Sequence, residues 1–94
     1  MCNLAKQFEL YLIRQGFSVR TPSGNPSTVY DYCKRVNRVC ADENLTWETL
    51  AVHIATFVRE YDIGGSKETE GSKSHRAVIN ALKAYKAFCK EFNY

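Results

Sequence analysis

From Ser72 to Lys90 the chain reads S-K-S-H-R-A-V-I-N-A-L-K-A-Y-K-A-F-C-K, with five basic residues and no acid. At about 100° per residue, Val78, Ala81, Leu82, Tyr85, Phe88, Cys89 and, past the run, Phe92 gather on one side of a helix. Arg76, Lys83, Lys86 and Lys90 gather on another. The apolar side must be covered by other elements, and the basic side stays in solvent, where it can meet an anion. This pattern demands a helical partner set and points to binding rather than catalysis.

Three further helices are predicted to supply the cover. The first runs over 3–15, with Asn3 as N-cap, an apolar stripe of Leu4, Phe8, Tyr11 and Leu12, and a stop at Gly16. Thr21 to Ser27 cannot be helical because Pro22 and Pro26 lack the amide donor, and Asn25 or Ser27 can cap the next helix. That helix, over 27–41, places Val29, Tyr32, Cys33, Val36, Val39 and Cys40 on one arc, with Asp31, Lys34 and Arg38 opposite. The third, over 46–61, opens with Thr46 as N-cap and Leu45 positioned to staple onto Leu50, and continues through Ile54, Phe57, Val58 and Tyr61. Residues 62–74, with Gly64, Gly65 and Gly71, read as a long connection without regular structure, either a partner-contacting loop or a mobile one. The fourth helix covers 73–92, capped by Ser72 or Ser74. No strand pattern or internal repeat is present. The expected fold is therefore all-α, one domain over 1–94, a compact bundle of four helices around a core of Phe8, Leu12, Val29, Tyr32, Val36, Leu50, Ile54, Phe57, Val58, Leu82, Tyr85 and Cys89.

Composition fits that scheme. At 94 residues, 45% apolar and 13% aromatic, the chain holds enough material for one core and too little for two domains. No apolar stretch approaches the roughly 20 residues of a membrane span, and the start lacks a signal-peptide pattern, so a cytoplasmic protein is expected. Cys33 and Cys40, seven apart in a helix, stand about 10 Å apart along its axis and cannot pair. With Cys89 on an apolar face too, and no ligand spacing to His53 or His75, the four cysteines read as buried reduced thiols, with neither metal nor cofactor.

Charge is distributed in blocks. Residues 32–41 carry Lys34, Arg35 and Arg38 without an acid, while 42–70 hold seven acids against Arg59 and Lys67. The net charge of +3 is modest, but the separation of signs favours electrostatic steering.

The helix order and several short segments resemble the SAM-like core-binding domain of phage integrases and other tyrosine recombinases. The matching stretches are Phe8 to Leu12 through Gly16, Ser27-Thr28-Val29-Tyr30-Asp31-Tyr32, Leu45-Thr46, and Ala81-Leu82-Lys83-Ala84-Tyr85-Lys86-Ala87-Phe88. Together they cover nearly the whole chain. The resemblance implies SAM-like orthogonal packing and a DNA integration or recombination context, in which the second and fourth helices clamp duplex DNA. By position it implicates Thr28, Lys34 and Arg38 on the second helix and Ser74, Arg76, Lys83 and Lys86 on the fourth. Lysine and arginine neutralise phosphates, and hydroxyls and helix N-termini donate to phosphate oxygens.

The family's catalytic domain, with its Arg, Lys, His-x-x-Arg and Tyr nucleophile, has no counterpart here. His75-Arg76 and Tyr94 do not reproduce it, so a non-enzymatic module is expected, without small-molecule substrate or membrane partner. The Pro22 to Pro26 segment is longer than the family's usual link. Gly64-Gly65-Ser66-Lys67 lacks the spacing and the preceding strand of a phosphate loop and reads as a turn. Trp47 reads as a shield over a helix junction and His53 as a half-exposed helical residue beside the core. A competing reading is a stand-alone protein-interaction module, a regulator or inhibitor from a mobile element, with the acidic stretch from Asp42 to Glu70 as its working face or as a mimic of nucleic-acid charge.

Overall fold

A computed structural model describes residues 4–18, 22, 24 and 28–92, apart from the side chains of Ser74 and His75. The proposed caps Asn3, Asn25 and Ser27, and the cysteine Cys2, lie outside the described residues. Among the described residues six helices follow in order: α1 Leu4–Arg14, α2 Thr28–Glu43, α3 Trp47–Val52, α4 Ile54–Tyr61, α5 Glu68–Gly71 and α6 Lys73–Glu91. No strand occurs among the described residues.

The expected count of four helices is corrected in two places. What reads as one helix over 46–61 is divided at His53, whose backbone (φ −110°, ψ 17°) leaves the helical region. His53 is exposed rather than half-exposed. Its carbonyl still accepts from the amides of Thr56 and Phe57, so the chain bends and then resumes its turn. The second correction lies in 62–74, where the expected irregular connection contains α5. Glycines permit this, since a Cβ at Gly71 would overlap the Tyr61 carbonyl oxygen and one at Gly65 would overlap the Arg59 and Glu60 carbonyls. The absence of a side chain lets the loop fold back onto the end of α4.

Helix ends follow local chemistry. At Gly16 (φ 94°) the amide of Phe17 donates to the Leu12 carbonyl and that of Gly16 to Ile13, both at 3.1 Å, closing α1 with a Schellman turn. Asn44 (φ 57°) does the same for α2, with Leu45 N–H donating to Cys40 O at 2.8 Å and Asn44 N–H to Ala41 O at 3.3 Å. Thr46 then caps α3, its side chain accepting from the Thr49 amide at 3.1 Å. At α6 Ser72 occupies the N-cap position without a side-chain cap bond, and its hydroxyl donates to the Thr69 carbonyl instead.

The core forms around α6, which touches each of the other five helices. Phe8, Trp47 and Tyr85 meet edge-on or tilted, Phe8–Tyr85 and Trp47–Tyr85 each at 5.2 Å between ring centroids, and Phe88 stacks on Tyr85 at 5.8 Å. Both polar aromatic groups in this cluster are satisfied. Tyr85 Oη donates to the Trp47 carbonyl at 2.8 Å, and Trp47 Nε1 donates to Asn37 Oδ1 at 3.1 Å. Of the expected core, Tyr32 and Phe57 are only partly buried, and the rest are buried. Trp47, Tyr61, Ile79 and Phe88 join it. Phe92, expected on the buried side of the last helix, is 40% exposed because it stands at the C-cap, past the last turn. Cys33, Cys40 and Cys89 are thiols; Cys40 and Cys89 are buried, whereas Cys33, expected in the interior, is only partly so, and burial raises Cys33 and Cys89 to about 11.

Candidate nucleic-acid interface

The basic side of α6 is exposed along its length: Arg76, Lys83, Lys86 and Lys90 all face solvent, as does Lys73 at its start. Arg76 to Lys90 spans roughly 21 Å at 1.5 Å per residue. The first turn carries an irregularity, since Arg76 has a left-handed backbone (φ 68°) inside the helix. A non-glycine residue keeps that conformation only where its surroundings hold it, at a cost of order 1–3 kcal/mol.

The Arg76 side chain reaches the end of α4. Its Nη2 lies 3.3 Å from Asp62 Oδ1, and Lys83 Nζ lies 3.2 Å from Asp62 Oδ2. Asp62 is the C-cap of α4, and its Oδ1 also accepts from the Ile63 amide at 2.8 Å. These contacts hold the Asp62 carboxyl below the ordinary carboxylate range, the Ile63 amide most, then Lys83, then the charge of Arg76. Arg76 and Lys83 are therefore brought together, by an acid that carried no signal in the sequence: it precedes them by fourteen and twenty-one residues.

On α2 the two expected cations diverge. Arg38 Nε pairs with both carboxylate oxygens of Asp42, at 3.1 and 3.3 Å. It lines a cleft with Arg35, Asp42, Tyr61, Glu70 and Lys73. Lys34 instead lines a groove with Ala5, Tyr30, Cys33, Asn37 and Trp47, where α2 meets α1 and α3. Thr28, the first residue of α2, is half-buried, and the Ser74 side chain lies outside the described residues. Lys34 and Lys86 form no ion pair with a described acid.

Two cations that sequence reasoning left out of the candidate set belong to the Arg38 cleft. Lys73 reaches it from α6 and pairs with Glu70 at 2.6 Å. Arg35 stands 3.3 Å from Asp31 Oδ1, near enough to pair, yet its buried Nε is not aligned for a hydrogen bond. The charge block at Lys34, Arg35 and Arg38 was a usable signal for Arg35.

The acidic middle folds onto both basic flanks: Asp42 meets Arg38, Glu70 meets Lys73, and Asp62 meets Arg76 and Lys83. Within it, Glu43 accepts from Lys67 and from Tyr61 Oη (2.8 Å), and Lys67 lies over the Phe57 and Tyr61 rings. Glu70 lines the cleft beside Arg38, whereas Glu68 lines a second cleft beside Asp62 and Arg76. The acidic α5 thus borders both the cleft that Arg38 shares with Lys73 and the one beside Arg76. No three His, Cys, Asp or Glu side chains converge on a metal-sized site among the described residues. No described helix is long and apolar enough to cross a membrane.

No protein-family model, curated protein or solved structure matches the chain.

Proposed function

We propose that this chain is a non-catalytic DNA-binding module that contacts duplex phosphates through α2 and α6, with the SAM-like packing of a recombinase core-binding domain and a cytoplasmic location. One observation carries the reading: α6 keeps five cations in solvent over its whole length, and Glu91 is the first acid it contains. A helix side free of its own acids, roughly 21 Å long, matches about six base-pair steps at 3.4 Å each. Lys34, Lys86 and Lys90 are the cations most ready for phosphate, since none of them has to leave a described carboxylate.

Fluorescence anisotropy with a generic duplex tests this. Wild-type protein is expected to bind in the micromolar range or weaker, and less tightly as salt rises. Each contacting cation contributes about 0.9 to the slope of log affinity against log salt, so Lys34→Ala with Lys86→Ala should flatten it by up to ~2 units. Wild-type protein that shows no salt-dependent binding at low ionic strength would sink the proposal.

The second reading, a protein-interaction module, has a specific observation of its own. Leu10, Ile13 and Phe92 are 49%, 40% and 40% exposed and line one groove with Gln7 and Arg14. Clustered apolar surface of that kind is commoner at protein contacts than at phosphate contacts.

A further inference from the structure

We infer that Asp62 closes the α6 phosphate site from within: its carboxylate occupies the anion position between Arg76 and Lys83, and a duplex phosphate enters only by displacing it. The inference rests on the DNA-binding reading and names the regulation of that site.

The geometry is that of an anion held by two cations. Arg76 Nη2 takes one carboxylate oxygen at 3.3 Å and Lys83 Nζ takes the other at 3.2 Å. A phosphodiester offers the same single charge and likewise two non-bridging oxygens, so the carboxylate stands in for it. Arg76 and Lys83 are seven residues apart, two turns of α6, yet both reach the one acid that the end of α4 presents to them.

Asp62 is anchored for this role by its own backbone surroundings. Oδ1 accepts from the Ile63 amide at 2.8 Å, so the carboxylate stays at the site at a high effective concentration. The contact is nevertheless exchangeable. Side-chain exposures of 44% for Arg76, 46% for Lys83 and 31% for Asp62 leave both pairs open to water and salt. A polyanion that brings several phosphates to the helix at once can outcompete one carboxylate; an isolated small anion at low concentration cannot.

Duplex binding at low salt, followed by anisotropy, tests the inference in five variants beside wild type. Asp62→Asn removes the charge but keeps an oxygen for the Ile63 amide. It should bind about 3- to 10-fold tighter, as the release of two exposed ion pairs allows, with a salt slope steeper by up to ~2 units. Adding Arg76→Gln and Lys83→Gln to Asp62→Asn should abolish that gain. In the wild-type background Arg76→Gln with Lys83→Gln should cost less than 2-fold, far less than Lys34→Ala with Lys86→Ala, because those cations are already engaged. Glu9→Gln, on α1, matches the change in net charge and should gain less than 2-fold.

If Asp62→Asn binds no tighter than wild type, or Glu9→Gln gains as much, the closure is refuted while DNA binding stands. The same holds if Arg76→Gln with Lys83→Gln weakens wild type as much as the Lys34 and Lys86 pair does, a comparison that does not depend on Asp62→Asn folding. If neither wild type nor Asp62→Asn shows salt-dependent binding, the DNA-binding reading fails and the closure fails with it.

Discussion

Glu43 shows how one residue ties three elements. It lies at the end of α2, accepts from Tyr61 Oη at the end of α4, and pairs with Lys67 just before α5. The bond from Lys67 holds its carboxyl below the ordinary range, opposed by partial burial and helped by the bond from Tyr61. Burial first, and then Glu43 itself, push the Tyr61 hydroxyl upward, so the phenol stays protonated and donates. A carboxyl with a lowered folded-state pKa contributes stability that is present above its unfolded pKa, about 4.3, and is lost as pH falls through the folded value. Glu43→Gln should therefore lower stability by about 1–2 kcal/mol at neutral pH. The difference from wild type should shrink as pH is taken below about 4, read from urea midpoints at each pH.

At the scale of elements, the positions that join helices set the architecture as firmly as the helices do. α5 exists because Gly71 lets its backbone approach Tyr61, where any Cβ would overlap the carbonyl. Gly71→Ala should raise intrinsic helix propensity yet lower stability by roughly 1–3 kcal/mol, because the overlap is with backbone and cannot be relieved by a rotamer change. Asn44→Gly is the contrasting case. With φ at 57°, glycine is tolerated there at least as well as asparagine, so its urea midpoint should stay close to wild type.

For the whole molecule, α6 acts as the shared wall of one core, and the molecule's radius of gyration of 12.7 Å agrees with the ~12 Å expected of a compact chain this long. Trp47, the sole tryptophan, sits inside the aromatic cluster against Phe8 and Tyr85. Its fluorescence therefore reports on the same cooperative unit as the helices. Urea transitions followed by Trp47 emission and by far-ultraviolet circular dichroism should coincide. Separate midpoints would mean that the bundle breaks into independent parts.

Helix type and inward face were legible in the sequence because both depend on local periodicity. Phe8, Leu12, Val36, Leu82 and Tyr85 each recur at helical spacing, and each is buried. Gly16 and Thr46 were legible for the same reason, since a left-handed turn and an N-cap are settled within a few residues. The bend at His53 was not: no proline or glycine marks it, and the apolar stripe passes through it without a change of phase. Nor was α5, whose packing depends on contact between Gly71 and Tyr61. The candidate site divides along the same line. Exposure of the α6 cations followed from the helix alone, but the engagement of Arg76 and Lys83 depended on where α4 ends. Ion pairs between distant residues need the chain folded to bring them within a few ångströms, and only the tertiary structure decided that Asp62 would meet Arg76 and Lys83.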